Sequence, residues 1–526
     1  MTEPAQWLLT RAERGNPATR IDDTCAPGEA WSTGNLAEPL VDGEAYFARL
    51  LACIEATGPG DLVWFTDWQG DARQRLGEAD GTDVLTVLVE ARRRGVDVRG
   101  LVWRSHTDLI GFFAAQNRRL GEQLGRRGVP VQLDMRVRPS GSHHQKFVVV
   151  RHRDRPADDV AFLGGIDLAH NRRDSPAHHG DPQGRPLTPE YGEHAPWHDV
   201  QLELRGPVVH GVETVFRERW EDPTPLTRLP WRRVADALRP VETEDSRLPD
   251  QQPPPPTAGS HTVQLLRTYP ALRAGRAHPF APQGERSVGR GYRKAIARAE
   301  RFVYVEDQYF WGDEVADLFA EELAAKPELR LMIVLPRHPD KTGLNRAAQL
   351  LARGRAIDSL HRTAPGRVAA FTLENTASVP VYVHAKVTIV DDEWASTGSD
   401  NFNRRSWTHD SELTAAVIDT AYARRLRLQL AAEHLGRLDP SAVDAAPSLV
   451  ADCDDGADMF TTFGEAADRL DAWHRGGRHG SRPPGHLRRL PRDPQHDLLR
   501  PAASLVLELV HNPDGRPRRM RGTRQL

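Results

Sequence analysis

A chain of 526 residues is too long for one ordinary domain and long enough for two that each bury a core. Its 39% hydrophobic and 27% charged content is that of a soluble globular protein. A net charge of -3 and a pI near 6.8 exclude general attraction to nucleic acid or an anionic membrane, so any hold on phosphate must come from a local cluster of cations.

The N-terminus, MTEPAQWLLTRAERG, lacks the basic start and apolar core of a signal peptide, and no apolar run approaches the roughly 20 residues that span a bilayer. Cys25, Cys53 and Cys453 are scattered without ligand spacing, so a cytoplasmic protein with reduced thiols, no disulfide and no zinc site is expected. Residues 1–34 carry the turn formers Asn16-Pro17 and Pro27-Gly28 and read as a partly ordered arm. A first domain, residues 35–222, opens with helical spacing in AYFARLLACIEAT, then the strand DLVWFTDWQ, a helix DVLTVLVEARRRG ended by Gly95, and the strand VDVRGLVWR. The run LIGFFAAQ, residues 109–116, fits the buried face of the next helix better than a lipid contact. After it come HHQKFVVVRHRDRPADDVAFLGGIDL from His143 to Leu168, the alternating strand HDVQLELRG, and a helix ending near Trp220. Residues 223–260, culminating in DQQPPPPT, read as a stiff linker.

The same order then repeats over residues 261–446: helix GYRKAIARAE, strand FVYVEDQYFW, helix VADLFAEELAA, strand LRLMIVLPRH, a helix near residues 345–353, and VHAKVTIVDDEWASTGSDNFNRRS from Val383 to Ser406. Asp67 precedes His144 by 77 residues, and Asp307 precedes His384 by the same 77. The predicted class is therefore α/β, with two similar domains, each a β-sheet flanked by helices, packed about a pseudo-twofold axis. Residues 447–526 read as an accessory cap, with a helix FGEAADRLDAWH, a final strand SLVLELVHNPDG and a solvated basic tail RPRRMRGTR.

Of 70 basic residues only Lys146, Lys294, Lys326, Lys341 and Lys386 are lysines, and two of the five stand two residues after a histidine at the start of an apolar strand. With 22 histidines, roughly 0.2 such triplets are expected by chance. Lysine's compact charge is not interchangeable with arginine's fork, so both places demand it. Residues two apart on a strand share a face, so His144 with Lys146 and His384 with Lys386 would converge on one cavity across the pseudo-twofold axis. Such a site suits a phosphodiester: the ammonium groups stabilise the non-bridging oxygens, one imidazole attacks phosphorus, and the other protonates the departing alcohol and then activates water or a second alcohol. Histidine titrates near neutrality, so neither a metal nor another cofactor is required. Trp64, Trp68, Tyr309 and Trp311 fit a cleft wall or a core equally, while Asp67 and Asp307 fit structural roles.

The paired His-x-Lys strands, GGIDL, GSDNFNRRS, PWHDV (Pro196 to Val200) and YVEDQYF (Tyr304 to Phe310) together resemble the phospholipase D superfamily over roughly Asp61 to Val417, with flanking words closer to the eukaryotic-type enzymes than to the compact nucleases. The resemblance implies that His144 is the nucleophile and His384 the general acid and then base. It implies phosphate binding by Lys146, Lys386 and Asn401 with Ser399 nearby, and that Glu412 orients His144 from the other half. Asp391 enters this catalytic set as a supporting residue, and Gly165, Asp167 and Asp174 join Ser399 in the substrate-binding set, Asp174 as the carboxylate for His384. Two positions depart from the family pattern: Arg151 stands where the first motif has aspartate, and Asp167 stands opposite Asn401.

The implied function is release of glycerophospholipid head groups to leave phosphatidic acid through a phosphohistidine, with head-group exchange when an alcohol is offered, by a monomer touching the membrane peripherally and transiently. Three alternatives follow in order: a cardiolipin synthase-like phosphatidyl transferase, a nuclease, which the near-neutral pI disfavours, and a non-catalytic phospholipid-binding protein that lost turnover through Arg151.

Overall fold

The computed structural model describes residues 3–106, 113–227, 247–273, 275–438, 445–492, 500–521, 523 and 525–526. The first half contributes β1 (Ser32–Val41), β2 (Leu62–Asp67), β3 (Asp97–Trp103), β4 (Val131–Asp134), β5 (Phe147–Arg151), β6 (Val160–Gly164), β7 (Trp197–His198) and β8 (Val200–Arg205). All but β7 form a sheet in the order β4-β3-β2-β5-β6-β8-β1, with β2, β3 and β4 parallel and the remainder antiparallel. The central strand β2 reads LVWFTD and is buried at every position, the continuous apolar run expected of a strand covered on both faces.

The second half contributes β9 (His261–Tyr269), β10 (Glu285–Arg286), β11 (Phe302–Glu306), β12 (Arg330–Val334), β13 (Val368–Glu374), β14 (Pro380–Val383), β15 (Val387–Val390), β16 (Trp394–Gly398) and β17 (Glu412–Ile418). Its sheet runs β13-β12-β11-β15-β16-β17-β9, with the same directions in the same places. Register agrees as well: Thr66 faces Phe147 in one half and Glu306 faces Val387 in the other, each three residues past its histidine. The two halves are the predicted pair of similar α/β units. A late strand, β18 (Leu487–Arg489), extends the second sheet antiparallel to β13.

Helices Gly43–Glu55, Val84–Arg93 and Ala114–Gly125 cover the outer face of the first sheet, and Ser287–Ile296, Asp313–Ala325 and Gly343–Thr363 that of the second. Val84–Arg93 shows why such segments are helical: Asp83 caps the N-terminus by accepting the Thr86 amide at 3.0 Å, and Val84, Val87, Leu88 and Ala91 make one buried stripe. Gly95, at φ +87°, then takes the left-handed turn that ends it. The inner faces of both sheets share one core with helices Val208–Trp220 and Thr420–His434.

Three expectations change. The N-terminal arm is not loosely ordered: Trp7, Leu8, Leu9 and Trp31 are buried in the core of the second half, and Arg14 pairs with Glu285. The final strand is absent; Arg500–Val506 is helical and continues into a π-turn, Leu507–His511, packed on helix Gly343–Thr363 through Ala503 and Leu507. The described part of the linker is fastened to the first half, Arg217 donating to the Pro249 carbonyl at 2.7 Å and Arg151 to that of Pro253 at 2.6 Å. Residues 109–112 of the LIGFFAAQ run and 228–246 of the linker lie outside the described residues.

Candidate active site

Just ahead of β5 and β15, each histidine is held by the opposite half. The His144 amide donates to the Ser411 carbonyl at 2.9 Å, and the His384 amide to the His198 carbonyl at 2.7 Å. The residue after each of those carbonyls is an acid that takes the incoming ring: His144 Nδ1 lies 2.9 Å from Glu412 Oε2, and His384 Nδ1 lies 2.6 Å from Asp199 Oδ2. With each carboxylate holding the Nδ1 proton, Nε2 of both rings is left for the one cavity they line, which encloses about 380 Å³. Lys146 Nζ reaches back to the His144 carbonyl at 2.9 Å, and Lys386 does the same to His384.

The carboxylate on His384 is therefore Asp199, not Asp174. Asp174 instead accepts the amides of Trp197, Ser175 and Gly180 at 2.8, 2.9 and 3.0 Å, shaping the loop that carries Asp199. Strand register makes Asp199 the counterpart of Glu412: Gly164 faces Gln201 and Gly398 faces Thr414, so two residues upstream of each partner stands an acid. Sequence reasoning missed it, although laying HDVQLEL over SELTAAV would have revealed it.

Asp391 is not at the reaction centre. It follows β15 at the end away from His384, seven residues or roughly 20 Å along extended chain. There it accepts the amides of Glu300, Arg301 and Phe302 at 2.6, 3.0 and 2.8 Å. Arg151, at the equivalent place, pairs with Asp159 at 2.6 Å and Glu213 at 2.5 Å, likewise far from His144. Gly165 is also structural, because a Cβ there would stand 1.9 Å from Asp199 Oδ1. Its counterpart Ser399 donates its hydroxyl to Glu412 Oε2 at 2.6 Å.

Asn401 lines the cavity with its Oδ1 buried and without a partner. Opposite it, Asp167 is turned to Arg172, which donates to it at 2.7 Å and lies 4.2 Å over the Trp197 ring. Arg172 lines the cavity, so the first half offers a guanidinium where the second offers an amide. The Asn-Arg-Arg that follows both GGID and GSDN was the available signal. Trp68 meets His144 edge-on at 5.4 Å and Trp197 tilts against His384 at 4.9 Å. Tyr309 and Trp311 complete the wall, whereas Trp64 is wholly in the core. Asp307 fixes the turns by accepting amides from Tyr309, Phe310 and Phe402 at 2.7, 2.6 and 2.9 Å.

Burial dominates the electrostatics. It pulls both imidazoles well below their usual range, with Lys146 adding to the effect at His144, and Lys386 and Arg172 at His384. Burial also lowers Lys146, and lowers Lys386 to about 8 against the pull of Asp199 and Asp307. The same cause pushes Glu412 up to about 8, helped by Asp410, and raises Asp199. A cavity of neutral rings and crowded cations is one that an anion relieves.

Behind His384, Asp42, His178, His198 and Glu433 bring donor atoms within 4.8 Å of one another, fully buried. His198 Nδ1 lies 2.9 Å from Glu433 Oε1 and 3.3 Å from Asp42 Oδ1, yet neither Asp42 oxygen, neither Glu433 oxygen and neither His178 nitrogen has an aligned hydrogen bond. The four groups are a donor set of the kind that holds a divalent cation, and against burial the carboxylates raise both imidazoles above their usual range. His198 also contacts Glu306 Oε2 at 2.7 Å, and Glu306 Oε1 contacts His434 at 2.7 Å.

A family model described as Phospholipase D matches residues 131–334, and one described as Cardiolipin synthase, PLD-like domain matches residues 292–432. Phospholipase D alpha 1 of Ricinus communis is 27% identical, covering 80% of this chain and 67% of its own; phospholipase D alpha 2 of Arabidopsis thaliana is 25% identical, covering 77% and 66%. Phospholipase D beta 2 of Arabidopsis thaliana is 25% identical over 58% of this chain and 44% of its own. The chain thus spans between under half and two thirds of the length of these relatives. Among solved structures, the phosphatidylserine synthase of Haemophilus influenzae Rd KW20 aligns with a TM-score of 0.49 at 14% identity, over 74% of this chain and 84% of that one. Among the described residues, no helix is long and apolar enough to cross a membrane.

Proposed function

Because the chain belongs to the phospholipase D superfamily, we propose that it cleaves the head-group side of glycerophospholipids to leave phosphatidic acid. The observation that carries this is the exchange of carboxylates, each half supplying the acid that sets the other half's imidazole at the edge of one shared cavity.

His144 Nε2 attacks phosphorus as the P–O bond to the head-group alcohol breaks, and His384, in its protonated form, gives the Nε2 proton to the leaving oxygen. His384 then takes a proton from water, whose oxygen attacks phosphorus and displaces His144, restoring both rings. Glu412 and Asp199 stabilise the positive charge that each ring bears in turn. Lys146, Lys386, Arg172 and the Asn401 amide face the non-bridging oxygens, where an aimed donor is worth about 3 kcal/mol. Burial disfavours imidazolium at His384, and the negative charge of a bound phosphate offsets that cost. The protein works as a monomer in the cytoplasm, meeting its lipid by transient contact with the membrane surface.

Release of choline or ethanolamine from phospholipid tests this. Loss of turnover on the order of 10⁴-fold is expected in both His144→Ala and His384→Ala, and full activity in either would refute the mechanism. The match of residues 292–432 to a cardiolipin synthase model favours a second outcome, transfer of the phosphatidyl group to an alcohol in place of water. Products formed from phosphatidylglycerol, with and without a primary alcohol, separate the two.

A further inference from the structure

Resting on the phospholipase reading above, we propose that the helix Arg500–Val506 and its π-turn Leu507–His511 form the surface by which the protein lies on a phospholipid bilayer, with Leu505, Leu509 and Val510 entering the interfacial layer. Among the described residues the two most exposed large apolar side chains are Leu509 at 62% and Leu505 at 61%, with Val510 at 40% beside them, while Leu449 stands apart from this segment at 38%. A fourth exposed residue, Leu344, stands beside them, since its neighbour Asn345 meets His511 Nε2 at 3.0 Å.

The segment is firmly seated. Ala503 and Leu507 pack into a small core with Trp311, Ala348 and Ala352, so the opposite face, with Leu505 and Leu509 one turn apart, is left outward. The π-turn carries the chain onward so that Val510 and His511 become part of the catalytic cavity's wall. Arg405, which also lines that cavity, donates to the Val510 carbonyl at 2.7 Å. The apolar patch is therefore continuous with the mouth through which substrate enters.

That continuity decides the occupant. A cavity of about 380 Å³, lined by four histidines and three arginines, holds a phosphate and its head group but not two acyl chains. The chains must remain outside the mouth, and outside the mouth stand the leucines. Lys341, on the same wall and 40% exposed in its side chain, supplies a cation at the level of lipid phosphates. A bilayer covers leucines, acyl chains and phosphates together, whereas a second protein copy would close the entrance.

The full-length protein and a Leu505→Gln/Leu509→Gln variant are compared in two assays: flotation with vesicles of phosphatidylcholine and phosphatidylglycerol in equal parts, and turnover of those vesicles against monomeric dibutanoyl phosphatidylcholine. Neither leucine lines the cavity, so an unchanged unfolding temperature and unchanged turnover of the monomeric lipid are expected. Vesicle affinity and vesicle turnover should each fall roughly tenfold or more. Equal vesicle binding by both proteins would overturn the proposal, as would equal loss of both turnovers, or a dimer in sedimentation that the double substitution abolishes. Failure to turn over either lipid would instead sink the phospholipase reading, and flotation would still decide the docking surface.

Discussion

Arg151 and Asp391 stand seven residues after their histidines and hold different parts of the scaffold. Asp391 gathers three backbone amides ahead of β11, while Arg151 neutralises Asp159 and Glu213 and fastens the linker at Pro253. Restoring the family residue as Arg151→Asp should therefore leave turnover per folded molecule unchanged. It should cost about 3–5 kcal/mol in urea unfolding, because buried acids lose their counter-charge. A gain in turnover would show that the position serves catalysis after all. The lysines act differently. With its pKa lowered to about 8, Lys386 is an ammonium below that pH and neutral above it, so kcat/KM should fall on the alkaline side with a midpoint near 8. In Lys386→Arg, whatever activity survives should lack that limb, because guanidinium keeps its proton; a limb unmoved at 8 would assign it elsewhere. The two histidines and two lysines were legible because chance alone does not repeat so rare a triplet. Asp199 was not, since a single acid before an alternating strand has no local signature; it shows only when its strand is laid over the one that opens with Glu412, a pairing that the strand registers fix.

Among elements, β5-β6-β8 and β15-β16-β17 build the two half-sites on the same register, yet with different turns at the active edge. After β6, Gly165 makes room for the short Asp199; after β16, Ser399 donates its hydroxyl to the longer Glu412. Substituting Gly165→Ser should push Asp199 off His384 and lower kcat by roughly 10²-fold or more with the fold intact. Ser399→Gly removes one hydrogen bond to an acid and should cost about tenfold. Comparable losses from both substitutions would contradict the assigned difference between the turns. The strands were readable from their apolar runs because both faces of each sheet are covered. SLVLELV was misread for a related reason: leucines at 505, 507 and 509 alternate as in a strand, while 503 with 507 and 505 with 509 also fit a helix. Packing against helix Gly343–Thr363 decided it, and that partner lies some 150 residues away in sequence.

Across the whole molecule, the halves are joined by buried charge as well as by the shared core. Glu285 of β10 accepts from Arg14 of the arm at 2.9 Å and from Arg267 of β9 at 2.6 Å, and Arg267 donates to Glu218 of helix Val208–Trp220 at 2.6 Å. Arm, first half and second half are thus tied together through the Glu285–Arg267 pair, which is why an N-terminal stretch with turn formers and no periodicity proves to be part of the core. Burial alone would raise Glu285, but the two guanidinium groups overrule it and hold the acid near 2. A group depressed in this way stabilises the fold above its unfolded pKa of about 4.5, and that contribution is lost as pH falls from there toward 2. The amount at stake is about 3 kcal/mol. Urea unfolding at a series of pH values should therefore show stability declining through this window in the parent chain. In Glu285→Gln the protein should start about 3–5 kcal/mol less stable at neutral pH, with two buried guanidinium groups uncompensated, and should lose less as acid is added. An acid slope of equal steepness in both proteins would place the pH-sensitive tie between the halves somewhere other than Glu285.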